Sequence, residues 1–345
     1  MATALTLTRP DDFHVHLRDG VGLAAVVQHT AAQFTRALVM PNLKPPITTV
    51  AQSLAYRQRI LAALPPDTGF NPLMALYLTD NTSADEVVRA AESPAVVAFK
   101  YYPAGATTNS DSGVTSLQKV YGALDAMQKH GVVLCLHGEE TASDIDVFDR
   151  EARFVDGPLQ QITRDFPSLS IVLEHITTLE SAQFVREAAA NVAATITPQH
   201  LLYNRNAMFT GGIRPHFYCL PILKRETHRQ ALIEAAASGS PKFFLGTDSA
   251  PHAKNSKEAC CGAAGCYTSH AAMELYAEAF DAAGALTKLD DFASRWGAEF
   301  YGLSRNSGTM TLRRETWTPP NEFAFGNETV VALTSGRTLS WRMDA

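Results

Sequence analysis

Two histidines one residue apart, His14 and His16, stand in the run Asp12-Phe13-His14-Val15-His16-Leu17-Arg18. If that run is a β-strand, side chains alternate faces and both imidazoles point the same way. Such a pair at a strand end is half of a metal site. Other residues with ligand chemistry close further short apolar runs. They are Lys100 in Ala98-Phe99-Lys100-Tyr101-Tyr102, His137, His175, and Asp248 in Gly246-Thr247-Asp248-Ser249-Ala250-Pro251-His252. Singly, a histidine at a strand end is more often a hydrogen-bonded core or rim residue, and an aspartate before Ser-Ala-Pro is more often a helix N-cap. Those ordinary roles would have to hold independently at every position. The set points to one metal centre.

Lys100 is the odd member, because an ammonium cannot bind a metal. Apolar surroundings lower its pKa and favour the neutral amine. The amine can react with carbon dioxide to give a carbamate, which is anionic and able to bridge two cations. A buried lysine paired with an acid, or a Schiff-base lysine, is the alternative. Neither explains four histidines and an aspartate around it.

The elements that must position these residues follow from the rhythm of the chain. Short runs rich in Val, Ile, Leu and Phe fall at residues 13–17, 36–40, 72–78, 96–101, 132–137, 170–175, 192–197 and 242–246. Amphipathic stretches at 49–64, 84–92, 116–130, 179–190 and 225–237 read as helices between them. Eight strands with intervening helices predict an α/β fold, a (β/α)8 TIM barrel, whose catalytic groups sit at the C-terminal strand ends. All of the candidate residues then face one mouth. The chain reads as one domain over 1–345, with a barrel from about 5 to 305 that carries the candidate metal centre. A small C-terminal β-rich extension, about 306 to 345, reads as an appendage rather than a domain.

Composition narrows the class. The 345 residues are 46% hydrophobic and 19% charged, as in an ordinary globular protein. A net charge of −6 with no Lys/Arg cluster gives no footprint for nucleic acid. The first residues lack a basic segment and a long apolar core, and no apolar run reaches membrane-spanning length, so a cytoplasmic protein is expected. Five cysteines, an odd number, argue against a disulfide framework. Cys260, Cys261 and Cys266 lack the paired spacing of a structural zinc site and read as reduced loop thiols, and Cys135 reads as a small buried hydrophobe.

Read together, the Asp-x-His-x-His-x-Arg strand, Met40-Pro41-Asn42, the Lys100 segment, Leu136-His137-Gly138-Glu139, Leu173-Glu174-His175, Thr197-Pro198-Gln199-His200 and the Gly-Thr-Asp-Ser-Ala-Pro-His stretch resemble the shorter bacterial dihydroorotase family of the amidohydrolase superfamily. The likeness spans nearly the whole chain, with no departure at a ligand position.

That resemblance implies two zinc ions per subunit. His14, His16 and Asp248 would hold one and His137 and His175 the other, with carbamylated Lys100 (N6-carboxylysine) and a hydroxide bridging them. It implies interconversion of N-carbamoyl-L-aspartate and L-dihydroorotate in pyrimidine synthesis, with Asp248 as general acid and base. Arg18 offers a planar fork of donors for the substrate carboxylate. By resemblance Asn42 and His252 complete that clamp, His137 also touches substrate, and backbone groups of Leu220 and Ala264 meet the pyrimidine-like edge. The small, polar segment 103–113 after the Lys100 strand reads as a mobile lid carrying Thr107 and Thr108. A homodimer acting on a small molecule is implied, with no membrane or nucleic-acid partner. Another cyclic amidohydrolase such as a hydantoinase is the alternative, although a carboxylate clamp would be wasted on a neutral ring. A non-catalytic barrel would be expected to lack ligands that are all present here.

Overall fold

Residues of alternating destination build the central sheet. In the computed structural model, which describes residues 3–66 and 68–344, eight parallel strands follow one another around a barrel. The chain begins with β1 (Ala4–Thr8), and the barrel strands are β2 (Asp11–Val15), β3 (Arg36–Val39), β4 (Asn71–Leu78), β5 (Val96–Tyr101), β6 (Val133–Leu136), β7 (Ile171–Leu173), β8 (Val192–Ile196) and β9 (Phe243–Leu245). Each falls on one of the eight runs expected from sequence. Met1 and Ala2, part of the leader reading, lie outside the described residues.

The period of two sorts side chains between barrel interior and helix layer. On β6, Val133 and Cys135 join the inner cluster while Leu134 and Leu136 join the outer one. On β4 and β7, Leu73, Ala75 and Val172 face in, whereas Met74, Leu76, Ile171 and Leu173 face out. The same alternation carries Lys100, two residues after the inward Ala98, to the barrel interior near its C-terminal end. The bottom is plugged by Phe13, which stacks on Tyr301 at 4.9 Å and meets Phe244 edge-on at 5.5 Å.

One irregularity matters for the site. The register between β2 and β3 slips between Asp12 and Val15, so three steps on β2 match two on β3. Such a bulge re-aims side chains. Phe13 can therefore plug the interior below while His14 and His16 both serve its mouth, with Val15 in the outer core.

The barrel is clothed by helices, including Leu23–Gln33 and Ala272–Ala282, which the sequence reading did not single out. The C-terminal segment supplies β10 (Thr309–Trp317), β11 (Glu322–Phe325), β12 (Glu328–Val331) and β13 (Leu339–Met343). β10 lies between β1 and β13 in an antiparallel sheet, so the chain's first strand belongs to the small sheet rather than to the barrel. β11 and β12 form a hairpin. Among the described residues no helix is long and apolar enough to cross a membrane.

Trp341 on β13 fixes the small sheet to the barrel. It is fully buried, lies under the Arg314 guanidinium at 4.5 Å and donates from Nε1 to Asp281 of helix Ala272–Ala282 at 3.3 Å. Truncating a buried tryptophan typically costs about 3–5 kcal/mol. Trp341→Ala should therefore lower stability of the whole chain in one transition in a denaturant titration. A separate early transition, with the barrel unaffected, would make the extension an independent unit.

Candidate metal centre

The strand ends bring the expected ligands together. His14 Nε2 and His16 Nε2 stand 3.4 Å apart, and Asp248 Oδ1 lies 3.3 Å from the first and 3.2 Å from the second. All three residues are buried and form a group able to hold a metal ion. His175 continues the cluster, its ring 4.9 Å from that of His14 and 4.8 Å from that of His137. Lys100 is fully enclosed beneath them, and its Nζ has no hydrogen-bond partner.

The far side of each ring explains its aim. His14 Nδ1 donates to Glu174 Oε2 at 2.5 Å, and His16 Nδ1 donates to Asn42 Oδ1 at 2.8 Å. His137 Nε2 donates to Glu139 Oε2 at 2.7 Å, which turns its other nitrogen toward the cluster. A histidine bonded this way is fixed in tautomer and orientation and presents its remaining lone pair to a metal. With both rings neutral, two imidazole lone pairs and a carboxylate converge. That arrangement is repulsive unless a cation sits there.

The electrostatics carry the same demand. Burial opposes ionisation of Asp248, yet His14, His16 and His175 hold its carboxyl well below the usual range. Burial alone would keep His14 neutral, but Glu174 and Asp248 raise its pKa. Burial lowers His16 to about 4 and pushes His175 far down, with Lys100 adding to the second effect. For Lys100, burial lowers the pKa against the pull of Glu174. An ammonium there would leave three donors unsatisfied in a dry site. Burial therefore favours the neutral amine, and Glu174 Oε1 and His175 Nδ1 also lack hydrogen-bond partners.

Backbone strain concentrates here. Arg18, His175 and Asp248 have φ of 59°, 43° and 46°, left-handed values that side chains other than glycine rarely adopt. The surroundings hold them. His175 N–H donates to Thr195 Oγ1 at 2.7 Å, and that hydroxyl donates to Glu174 at 2.9 Å. Asp248 N–H donates to the His14 carbonyl at 2.8 Å, and Thr247 beside it is gripped by Asp12.

Around the cluster is a small recess whose wall includes Arg18, Asn42, Thr107, Thr108, Leu220 and Ala264. Arg18 donates to the Pro251 carbonyl at 2.9 Å and to His252 Nε2 at 3.0 Å, which commits two of its five donors. Burial and the neighbouring Arg18 lower His252 to about 2, so it is a neutral acceptor in this pair. His252 thus reaches the recess through Arg18. Asn42 differs from the simple clamp that the resemblance implies. Its oxygen already accepts from His16, and its Nδ2 donates to the Thr108 carbonyl at 3.0 Å. The segment 103–113 lies across the mouth, with Thr108 Oγ1 donating to the Ala264 carbonyl at 3.3 Å and Asn109 Nδ2 to the Asn42 carbonyl at 2.9 Å. Cys135, Cys219 and Cys266 are buried, Cys260 and Cys261 exposed, and all five are free; Cys266 is a buried thiol within its loop stretch.

Residue-by-residue reading of ligand types passed over Asp12, Glu139, Glu174, Thr195 and Thr247. Glu174 and Glu139 stood in the motifs beside His175 and His137. Their signal was a carboxylate adjacent to a candidate ligand, the pattern of an outer support for a metal-binding histidine. Loss of such a partner typically weakens metal binding about 10–100-fold. Glu174→Gln should show that loss in competition with a chelator while keeping the wild-type thermal transition within a few degrees. Unchanged metal affinity would remove Glu174 from the site.

Comparison with known proteins agrees with this geometry. The amidohydrolase family profile matches residues 11–315. The dihydroorotase of Delftia acidovorans is 64% identical over 339 residues, covering 98% of each chain. The crystal structure of dihydroorotase from Campylobacter jejuni superposes with a TM-score of 0.91 at 34% identity, covering 100% of this chain and 98% of that one. Dihydroorotase from Saccharomyces cerevisiae, solved in complex with 5-fluoroorotic acid, gives 0.92 at 31% identity over 99% of both chains. L-Hydantoinase from Arthrobacter aurescens, at 14% identity and a TM-score of 0.78, shares the fold. With its ligand cluster in place at the barrel mouth, the chain belongs to the amidohydrolase family and, within it, to the dihydroorotases.

Proposed function

We propose that this chain interconverts N-carbamoyl-L-aspartate and L-dihydroorotate at a two-metal centre. The observation that carries the reading is the convergence of His14, His16 and Asp248 beside His175, His137 and an unpartnered, fully buried Lys100. His14, His16 and Asp248 would hold one ion, His137 and His175 the second, and carbamylated Lys100 would join them. Zinc suits this set of imidazole and carboxylate donors. Such an ion pair supplies an acidified water and polarises the carbonyl under attack.

The remaining work falls to the chain itself. Asp248, held as a carboxylate among imidazoles, takes the proton released on attack and passes it to the leaving ring nitrogen. In the reverse direction it removes a proton from the carbamoyl nitrogen as the ring closes. Arg18 presents its uncommitted donors to the substrate carboxylate, with His252 fixing the plane of the guanidinium. Asn42 joins them when its Nδ2 leaves the Thr108 carbonyl. Main-chain groups of Leu220 and Ala264 meet the amide edge of the ring. Thr107 and Thr108 close over it and exclude water. The yeast relative's ligand, a pyrimidine carboxylate, has the two features this wall would read. The chain acts as one unit over its length and assembles as a homodimer in this reading.

The test is ring opening of L-dihydroorotate beside ring opening of a neutral hydantoin, for the wild type and Arg18→Lys. Wild-type turnover of dihydroorotate with little or none of hydantoin is expected. Because hydrogen bonds to a charged group are worth about 1.5–3 kcal/mol, Arg18→Lys should raise KM for dihydroorotate about 10–100-fold. Preference for hydantoin, or indifference to Arg18→Lys, would move the chain to another cyclic-amide substrate.

A further inference from the structure

Outside the metal cluster, the segment after β9 encloses a lysine in an unusual way. Lys257 is 3% exposed, and its hydrogen bonds all go to main-chain carbonyls rather than to a carboxylate. Nζ donates to Tyr218 O at 2.7 Å, Ala263 O at 2.8 Å and Gly265 O at 2.7 Å. Three acceptors at these distances use three N–H donors, and only the ammonium form has three. Burial lowers the pKa of this amine, so the carbonyl cage must favour the charged form against that cost.

The three carbonyls belong to two segments far apart in sequence. Tyr218 stands two residues before Leu220, and Ala263 and Gly265 flank Ala264. Leu220 and Ala264 both line the recess. Successive peptide groups of an extended chain face opposite sides. With the carbonyls of Ala263 and Gly265 drawn to the ammonium, that of Ala264 turns the other way, where it accepts from Thr108 Oγ1. The two segments also meet directly, through Gly265 N–H donating to the Tyr218 carbonyl at 3.0 Å. Gly265 has φ of 149°, and a Cβ there would come within 2.6 Å of the Ala250 carbonyl, so this stretch has little room to shift.

We infer that Lys257 is a positioning residue for substrate binding: its ammonium ties the Leu220 segment to the Ala264 segment and sets the spacing and direction of the main-chain groups that receive the amide edge of the ring. This deepens the proposed function and rests on it, since that reading gives Leu220 and Ala264 their role. None of the three atoms that Lys257 binds belongs to a metal ligand, so its loss should weaken binding without emptying the metal site or slowing the chemical step.

The test compares wild type, Lys257→Met and Lys257→Arg as full-length, metal-loaded enzyme. The readouts are KM and kcat for L-dihydroorotate, inhibition by 5-fluoroorotate, and metal per chain. In Lys257→Met, KM and the inhibition constant should both rise about tenfold or more, with kcat within about threefold and metal content unchanged, the split expected when ground-state and transition-state binding are lost together. Lys257→Arg keeps the charge and should recover most of the loss. Unchanged constants in Lys257→Met overturn the inference, as does a fall in kcat or metal content at unchanged KM. If Lys257→Met does not fold, Lys257→Gln and Lys257→Arg are compared instead, and equal KM values overturn it. A wild type that fails to open dihydroorotate overturns the proposed function and this inference together. An active wild type with an indifferent Met variant overturns this inference alone.

Discussion

The barrel closes through the hydrogen bonds that aim its metal ligands. Between β2 and the end of β9, Asp248 N–H donates to the His14 carbonyl at 2.8 Å and His16 N–H to the Ser249 carbonyl at 3.0 Å. Beside them the buried carboxylate of Asp12 accepts from His14 N–H at 3.1 Å, Thr247 N–H at 2.9 Å and Thr247 Oγ1 at 2.6 Å. Burial raises Asp12 to about 7, and these donors work against that rise. An aspartate is thus spent on joining the first and last barrel strands. The His14–His16–Asp248 group exists only while the seam is shut, so fold closure and ligand geometry are one event.

The rest of the centre follows from how polar groups are enclosed. Glu174 supports His14 and receives the Thr195 hydroxyl, Glu139 supports His137, and Asn42 supports His16. Each of these histidines is left with one nitrogen aimed inward. With the inward set acceptor-rich, the interior is short of positive charge, and the Lys100 amine is short of a hydrogen-bond partner. Metal ions and a carbamate on Lys100 would correct both shortages at once. The strained backbone at His175 and Asp248 has the same origin, since left-handed values at strand ends turn those side chains over the barrel axis.

Much of this was legible in the sequence, for identifiable reasons. All eight barrel strands showed as short apolar runs because parallel strands are buried on both faces. The ligands showed because His, Lys and Asp are out of place at the ends of such runs. Most of what was missed depended on neighbours distant in the chain. Helix Leu23–Gln33 buries Leu23, Val26, Val27, Thr30 and Ala31 on one face, but alanines at 24 and 32 on its exposed face blur the amphipathic stripe in the sequence. The pairing of β1 with β10 joins residues some 300 positions apart. The bonds of the Asn42 amide to His16 and Thr108 were hidden too, because residue type cannot reveal partners so far along the chain. Lys257 carried no signal at all, because its partners are main-chain carbonyls.

The most direct test of the account is stepwise metal restoration after chelation, with and without bicarbonate, in wild type and Lys100→Ala, following metal per chain and ring opening of L-dihydroorotate together. The account predicts that wild-type activity returns only as the second ion binds, that bicarbonate accelerates the return, and that Lys100→Ala neither retains two ions nor recovers activity. Full activity with a single ion, or in Lys100→Ala, would contradict it.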